Sequence, residues 1–380
     1  MSHQPHGTSP QQPETILQFG TGKFLRAFVD LFCQEINDSG GEAGPVVAVQ
    51  STGAQRARQL TQQQGRYHVA IRGLEHGRPV DRLVRVESIR RALAAETDWQ
   101  EVLAVARSAS LRAIVSNMTE AGYVLDPADL TGEEVPPRSF PAKLLTVLQA
   151  RWEAGLSGPT ILPCELLEGN AARLRALVLQ QWTTRRLPDD FGQWIRDACS
   201  WQDTLVDRIV AAPRTDEPLT DPLLAVAEPF ALWLIQGPLE NIRGILSSSH
   251  PSIRTVDSLE PYFLRKVRIL NGAHTALVAK ALPRGFTTVR QAVSDAEIGG
   301  WLRELLFEEV VPVLEGRTEA PEEFATQVLT RFLNPFLEHQ LADIAIAHDR
   351  KLQTRLVPTW EEYRQRFGRT PPRLEEALAH

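Results

Sequence analysis

The sequence predicts an α/β chain, with a mainly parallel, Rossmann-like sheet domain over residues 14–260 and a mostly α-helical domain over 261–380. Three observations carry this reading. Short apolar runs alternate with helix-period stretches through the first two thirds of the chain, the order of strands and helices in a covered parallel sheet. A two-glycine turn stands between the first strand and the first helix, as in folds that bind a dinucleotide. From about Pro261 the strand-like runs disappear.

Residues 1 to 13 are polar and rich in Pro and Gly, and are expected to form a disordered tail. Ile16 to Phe19 is the first strand, followed by Gly20-Thr21-Gly22-Lys23-Phe24-Leu25, where the helical pattern begins. Gly20 permits the turn, and Gly22 lets the backbone approach a pyrophosphate at the positive end of the next helix. The third glycine of the full fingerprint is absent, with Leu25 in its place. Pro45 to Gln50 supplies a second strand at the distance one βαβ unit requires. Further strands are expected at Tyr67–Ile71, Leu111–Val115, Thr160–Pro163, Leu205–Val210 and Ala231–Ile235, with helices at Trp99–Arg107 and Ala142–Trp152. In the helical part, Asp295–Leu314 and Glu322–Phe332 carry the clearest helix pattern.

The stretch Lys266 to His274 sets a Lys, an Asn and a His at K-x4-N-x2-H spacing within an apolar run. At about 100° per residue, His274 lies about 80° and Asn271 about 140° around a helix from Lys266, so one broad face presents all three. Such a trio suits alcohol oxidation by hydride transfer, or its reverse. Lys266 would act as the base, with a pKa lowered by burial and by cations such as Arg265 and Arg268; Asn271 would donate to the oxyanion, and His274 would orient the same oxygen. The plainer alternative is a solvated Lys, a capping Asn and a satisfied His on a core helix.

Composition excludes several classes. A net charge of −6 and a pI near 5.9 argue against nucleic acid as a main partner. No apolar run approaches a membrane span and the N-terminus lacks the pattern of a secretory leader, so a cytoplasmic protein with no membrane partner is expected. Three scattered cysteines and nine histidines without H-E-x-x-H indicate neither a disulfide framework nor a metal site.

Beside these local signals stand longer ordered blocks: Leu17 to Phe28, Val49-Gln50-Ser51-Thr52, Val115 to Gly122, Leu162 to Leu166, Leu205 to Val210, Lys266 to Thr275, and Arg331 to Phe336 followed by His339 and Asp343-Ile344. Over nearly its whole length the chain resembles the polyol-specific long-chain dehydrogenases, the family of mannitol dehydrogenases and hexuronate reductases, and the hexuronate reductases most. The resemblance implies NAD as cofactor, no catalytic metal, and interconversion of a ketouronate and its aldonate, tagaturonate and altronate first. It implies cofactor contacts at Phe19, Gly20, Gly22, Lys23, Phe24, Gln50, Ser116, Asn117, Thr119 and Glu120. Lys266 becomes the general acid/base, with Asn271 and His274 on the substrate oxygen. Asp207, Arg208 and His339 are expected at the substrate. Asp207 and Arg208 read equally well as a buried ion pair tying strand to helix.

Leu166 stands where mannitol dehydrogenases place a second oxyanion-holding Asn, and in this resembles the hexuronate reductases. Three features depart from the family pattern: Lys23 stands where Asn or Gly is more frequent in the phosphate turn; Ala347 stands where the hexuronate reductases tend to have Asn; and the chain ends at His380, where relatives continue, implying a shortened substrate domain. Fructuronate reduction, mannitol oxidation, or a cofactor-binding protein without catalysis are the competing readings. A cation-rich stretch from Arg350 to Arg373 predicts that the substrate carries a carboxylate, held by Lys351 and Arg355 one helical turn apart. No Asp or Glu ends the second strand, so residue chemistry alone allows NAD or NADP. The sequence leaves the oligomeric state open.

Overall fold

The computed structural model describes residues 12–75, 78–118, 122–214, 217–246, 250–336 and 338–379; the expected tail, but for its last two residues, lies outside them, as do Thr119 and Glu120. In chain order the strands are β1 (Ile16–Phe19), β2 (Val46–Gln50), β3 (Tyr67–Glu75), β4 (Arg78–Val86), β5 (Ile89–Ala94), β6 (Ala113–Ser116), β7 (Thr160–Pro163), β8 (Ser200–Trp201), β9 (Thr204–Asp207), β10 (Val210–Ala211), β11 (Ala225–Ala227), β12 (Leu232–Gln236) and β13 (Ile253–Val256).

Six of them form one fully parallel sheet, in the order β5-β2-β1-β6-β7-β8. This is the doubly wound order, which reverses direction between β1 and β6 and opens a crevice at the strand ends there. Period-two alternation explains why the strands are almost continuously apolar. Ile16, Val46, Ala48, Ala113 and Val115 enter the core on one face, and Leu17, Phe19, Val47, Val49 and Ile114 the core on the other. Both faces are covered, as a parallel sheet requires.

The remaining strands depart from the expected single sheet. Tyr67–Ile71 belongs to the long hairpin β3-β4, in a second sheet of order β10-β11-β3-β4, and Ala231–Ile235 belongs to a small third sheet, β13-β12-β9. The expected strand Leu205–Val210 is split. It leaves the third sheet after Asp207 and re-enters the second at Val210, because Asp207 and Arg208 turn into a buried polar network. The helix after the glycine turn is also divided, into Lys23–Arg26 and Val29–Asp38.

From Glu260 onward the described residues hold helices and one isolated bridge, Thr288 to Gln340. At their centre runs Gly272–Ala281, whose described side chains are all buried except Lys280. A helix that is apolar all round must be enclosed. Helices Ala296–Glu304, Leu341–Ala345, His348–Arg355 and Pro372–Leu378 pack around it over a core of their own. Among the described residues no helix is long and apolar enough to cross a membrane.

Candidate active site

A cavity of about 730 Å³ opens at the ends of β1, β2 and β6, lined by Gly20, Thr21, Gln50, Ser51 and Asn117 among others. Gly20 has φ +125°, a conformation that favours glycine, and a Cβ there would meet the Leu25 side chain at 2.9 Å. Leu25 thus fills the space below the turn and accounts for the missing third glycine. At Gly22 a Cβ would meet nothing within 4 Å, so the backbone stays open to a ligand. The turn is braced from behind: buried Arg26 donates to the carbonyls of Thr21 and Leu223. Phe19 packs on Phe140 and Phe24 on Phe28.

The other expected cofactor residues divide. Asn117 lines the cavity and is fixed by donating to the Cys164 carbonyl at 2.6 Å. Gln50 braces the loop after β2, accepting from the Ala57 N–H and donating to the Thr52 carbonyl. Ser116 is buried and donates to Glu165, so its hydroxyl faces that carboxylate, not the cavity. Lys23 is exposed on the turn. After β5, which lies beside β2, Glu96 accepts from the Gly53 N–H at 2.7 Å.

Lys266 to Asn271 forms a π-helical turn between the helices Glu260–Arg265 and Gly272–Ala281. This corrects the face expected from α-helical spacing. A turn closed by i→i+5 hydrogen bonds carries Asn271 around to lie above Lys266, whereas an α-helix would splay them apart. Both line a second cavity, of about 390 Å³, together with Glu165, Leu166, Val206, Ala347, Lys351 and Arg355. Lys266 is 7% exposed and its ammonium donates to the Val206 carbonyl. Burial pushes its pKa below the usual lysine value, with Arg331 and Arg355 adding to the shift and Asp207 opposing it.

Asp207 and Arg208 do not pair with each other. Asp207 accepts two hydrogen bonds from Arg331, at 2.9 and 3.2 Å, and Arg331 binds Glu228 through two more, at 2.9 and 2.7 Å. All three are buried, and the guanidinium also lies 4.3 Å from the centre of the Phe230 ring. Burial pushes the Asp207 carboxyl up, but Arg331 and Lys266 outweigh it and hold it below the carboxylate range; for Glu228 burial wins and its pKa is raised. Arg208 donates to the carbonyls of Glu228 and Ala27 and lines neither cavity. These bonds tie the end of β9 to the segments around Glu228 and Ala27.

His274 does not line the Lys266 cavity. It is packed against Phe332 and His339, with ring centroids at 4.3 and 4.8 Å. Burial first, then His339 and Arg331, push its pKa well below the usual histidine value, and its Nε2 has no partner. His339 is likewise lowered, by burial first and then by Lys23, with Asp343 opposing. Lys351 donates to the Ile344 carbonyl at 2.8 Å, and Arg355 to the Thr275 hydroxyl at 3.3 Å. Sequence spacing missed Arg331, Glu228 and Glu96, because each reaches its partner from a distant segment.

Comparison with known proteins agrees with this geometry. The family model described as the mannitol dehydrogenase Rossmann domain matches residues 14–244, and that of the mannitol dehydrogenase C-terminal domain matches 258–380. The chain is 39% identical to altronate oxidoreductase of Bacillus subtilis (strain 168), covering 96% of this chain and 78% of that protein. It is also 39% identical to altronate oxidoreductase of Yersinia enterocolitica, over 97% and 79%. The fold is shared with the Pseudomonas fluorescens mannitol 2-dehydrogenase solved with NAD and D-mannitol: TM-score 0.81, 21% identity, 97% of this chain and 79% of that one. A substrate-free D-sorbitol dehydrogenase gives TM-score 0.80 and 24% identity, over 96% and 78%. With both family models matched in order and relatives at 39% identity, the chain belongs to the mannitol dehydrogenase family of oxidoreductases.

Proposed function

We propose that this protein is an NAD(H)-dependent reductase of a keto sugar acid, interconverting tagaturonate and altronate, with Lys266 as general acid/base. The observation that carries the proposal is the π-helical turn, which sets a buried lysine of lowered pKa and an amide side by side on one cavity wall. The substrate class rests on the altronate oxidoreductases that this chain resembles over most of its length.

The glycine turn fits a dinucleotide, because Gly20, where a side chain would collide with Leu25, turns the chain beside the cavity at the end of β1, and the space around Gly22 is open. A nicotinamide held beside this turn would supply the hydride for reduction of the ketone carbon. Lys266, as the ammonium, donates a proton to the carbonyl oxygen, and the Val206 carbonyl holds the amine in place before and after the transfer. Asn271 donates to the same oxygen as negative charge builds on it. Leu166 lines the cavity without any donor, so Asn271 is the amide for this task. Lys351 and Arg355 stand on the cavity wall beside Lys266 and Asn271, and His274 packs against Phe332 and His339 outside that cavity. Asp207 acts through Arg331 and Lys266 as a positioning residue, and Arg208 braces the strand ends. In this reading residues 14–260 hold the cofactor and 261–380 present the catalytic lysine.

The test is turnover of tagaturonate, fructuronate and fructose with NADH, by the parent and by Lys266→Ala. The variant is expected to lose roughly 10²- to 10⁴-fold in kcat and to keep NADH binding. Near-parental kcat in the variant would refute the role of Lys266, and a preference for fructose would refute the substrate class.

A further inference from the structure

Behind the glycine turn lies a buried polar network that the chemistry above does not use. Its members are Gln18, Arg26, Asp30 and Tyr67, all buried. The Gln18 amide donates to the Gly20 carbonyl at 3.1 Å and to Asp30 Oδ2 at 3.2 Å. Arg26 holds the next carbonyl of the turn, that of Thr21, at 3.2 Å. The Tyr67 hydroxyl lies 2.9 Å from the Arg26 carbonyl and 3.3 Å from Asp30 Oδ2. One network therefore fixes both carbonyls of the Gly20-Thr21 turn, and the Asp30 carboxyl joins its two arms.

That carboxyl is poorly placed to carry a charge. A hydroxyl has one proton, so when Tyr67 gives it to the nearer Arg26 carbonyl, Oδ2 keeps the Gln18 N–H alone. Oδ1 has no partner, and neither has Oε1 of Gln18. Arg26 directs its guanidinium to the carbonyls of Thr21 and Leu223. Asp30 stands in the first turn of the helix Val29–Asp38, yet among the described residues no N–H of that turn donates to its carboxyl. Burial outweighs Gln18, Arg26 and Tyr67 and pushes the Asp30 pKa up to about 7. Tyr67 and Cys33, which feel the same charge, are both raised and stay protonated. A single hydrogen accounts for both bare oxygens: carried on Oδ1 and given to Oε1, it closes a ring in which acid and amide each donate once. The amide cannot be turned over, because its oxygen would then face the Gly20 carbonyl oxygen.

We propose that Asp30 is a positioning residue for the dinucleotide: as a neutral acid it clamps the Gln18 amide, which holds the Gly20 carbonyl and keeps the turn in the shape that receives the cofactor. The inference rests on the reading of this turn as the NAD(H) site. Ionisation of Asp30 removes the hydrogen between Oδ1 and Oε1 and sets two bare oxygens against each other, so the clamp opens. The neutral form is complete at low pH and is lost as pH rises through about 7, and cofactor affinity falls with it.

The test titrates the full chain with NADH, by fluorescence, from pH 6 to pH 9. The Kd of the parent is expected to rise about 3- to 10-fold over this range, the effect of one hydrogen bond. Asp30→Asn keeps a donor and an acceptor at every pH, so its Kd should stay near the parent's low-pH value throughout. Gln18→Met removes the amide at similar volume and should bind NADH weakly, without a pH step. An infrared difference between the parent and Asp30→Asn at pH 6 should show a carboxylic acid band that is gone at pH 9. A parent Kd that is flat with pH, a pH step retained in either variant, or no acid band at pH 6 overturns the inference and leaves the cofactor reading standing. If Asp30→Asn lacks native circular dichroism, the pH step of the parent against that of Gln18→Met decides. A parent that binds no NADH at any pH removes the cofactor reading, and the positioning role with it, even where the acid band is present.

Discussion

Replacing Arg331 by Met keeps the apolar stem and deletes a guanidinium that makes four hydrogen bonds to two buried carboxylates. Both carboxylates retain the field of Lys266, but of the hydrogen bonds named here Glu228 keeps for its carboxylate that from the Ile209 N–H. Removing one partner from a buried ion network costs roughly 3–5 kcal/mol, a large share of the about 5–15 kcal/mol that holds a typical domain folded. The pH dependence follows from the sign of the shifts. An unpaired buried carboxylate has a folded pKa above its unfolded one, so its penalty is absent at low pH and grows as pH rises through the acid range toward neutrality. Equilibrium urea unfolding at pH 8 and pH 5 is the assay, and the deficit of Arg331→Met is expected to narrow at pH 5. Adding Glu228→Gln to Arg331→Met should recover part of the loss at pH 8. A loss under about 1 kcal/mol, or a deficit that widens at pH 5, would refute the view that these charges depend on one another.

Asp207→Asn removes the strongest charge opposing the fall in the Lys266 pKa. Alcohol oxidation requires neutral Lys266, so its pH–rate limb should move to lower pH; a shift to higher pH would contradict the coupling. Ala347 adopts φ +55° at the start of the helix that carries Lys351 and Arg355. Ala347→Asn, a residue that accepts this conformation, should raise stability by about 0.5–1 kcal/mol, part of the 1–2 kcal/mol that a left-handed residue costs; no change in the urea midpoint would count against strain there. Glu96, exposed beside the Gly53 N–H, places negative charge next to the loop after β2. Glu96→Gln should raise NADPH affinity relative to NADH, and an unchanged ratio in fluorescence titrations would remove Glu96 from cofactor choice.

Much of the sheet half was legible because its signals are local. A strand buried on both faces reads as an apolar run, as at Ile16–Phe19 and Val46–Gln50, and the glycines mark a backbone conformation that few other residues adopt. The Lys-Asn-His stretch was legible as a helix with chemistry on it. Its facing was not, because a single π turn is decided by what packs against the helix and leaves no period in the sequence. The same limit applies to strand partners: β12 is as apolar as β1, yet pairing placed it in another sheet. The sequence by itself determined the α/β class, the glycine turn and the candidate lysine, since each depends on residues within a turn or two of one another. Only the tertiary structure decided that Asp207 answers to Arg331, 124 residues away, rather than to Arg208 beside it, because neighbours on a strand point to opposite faces and a buried charge must take its partner from whatever element the fold packs there.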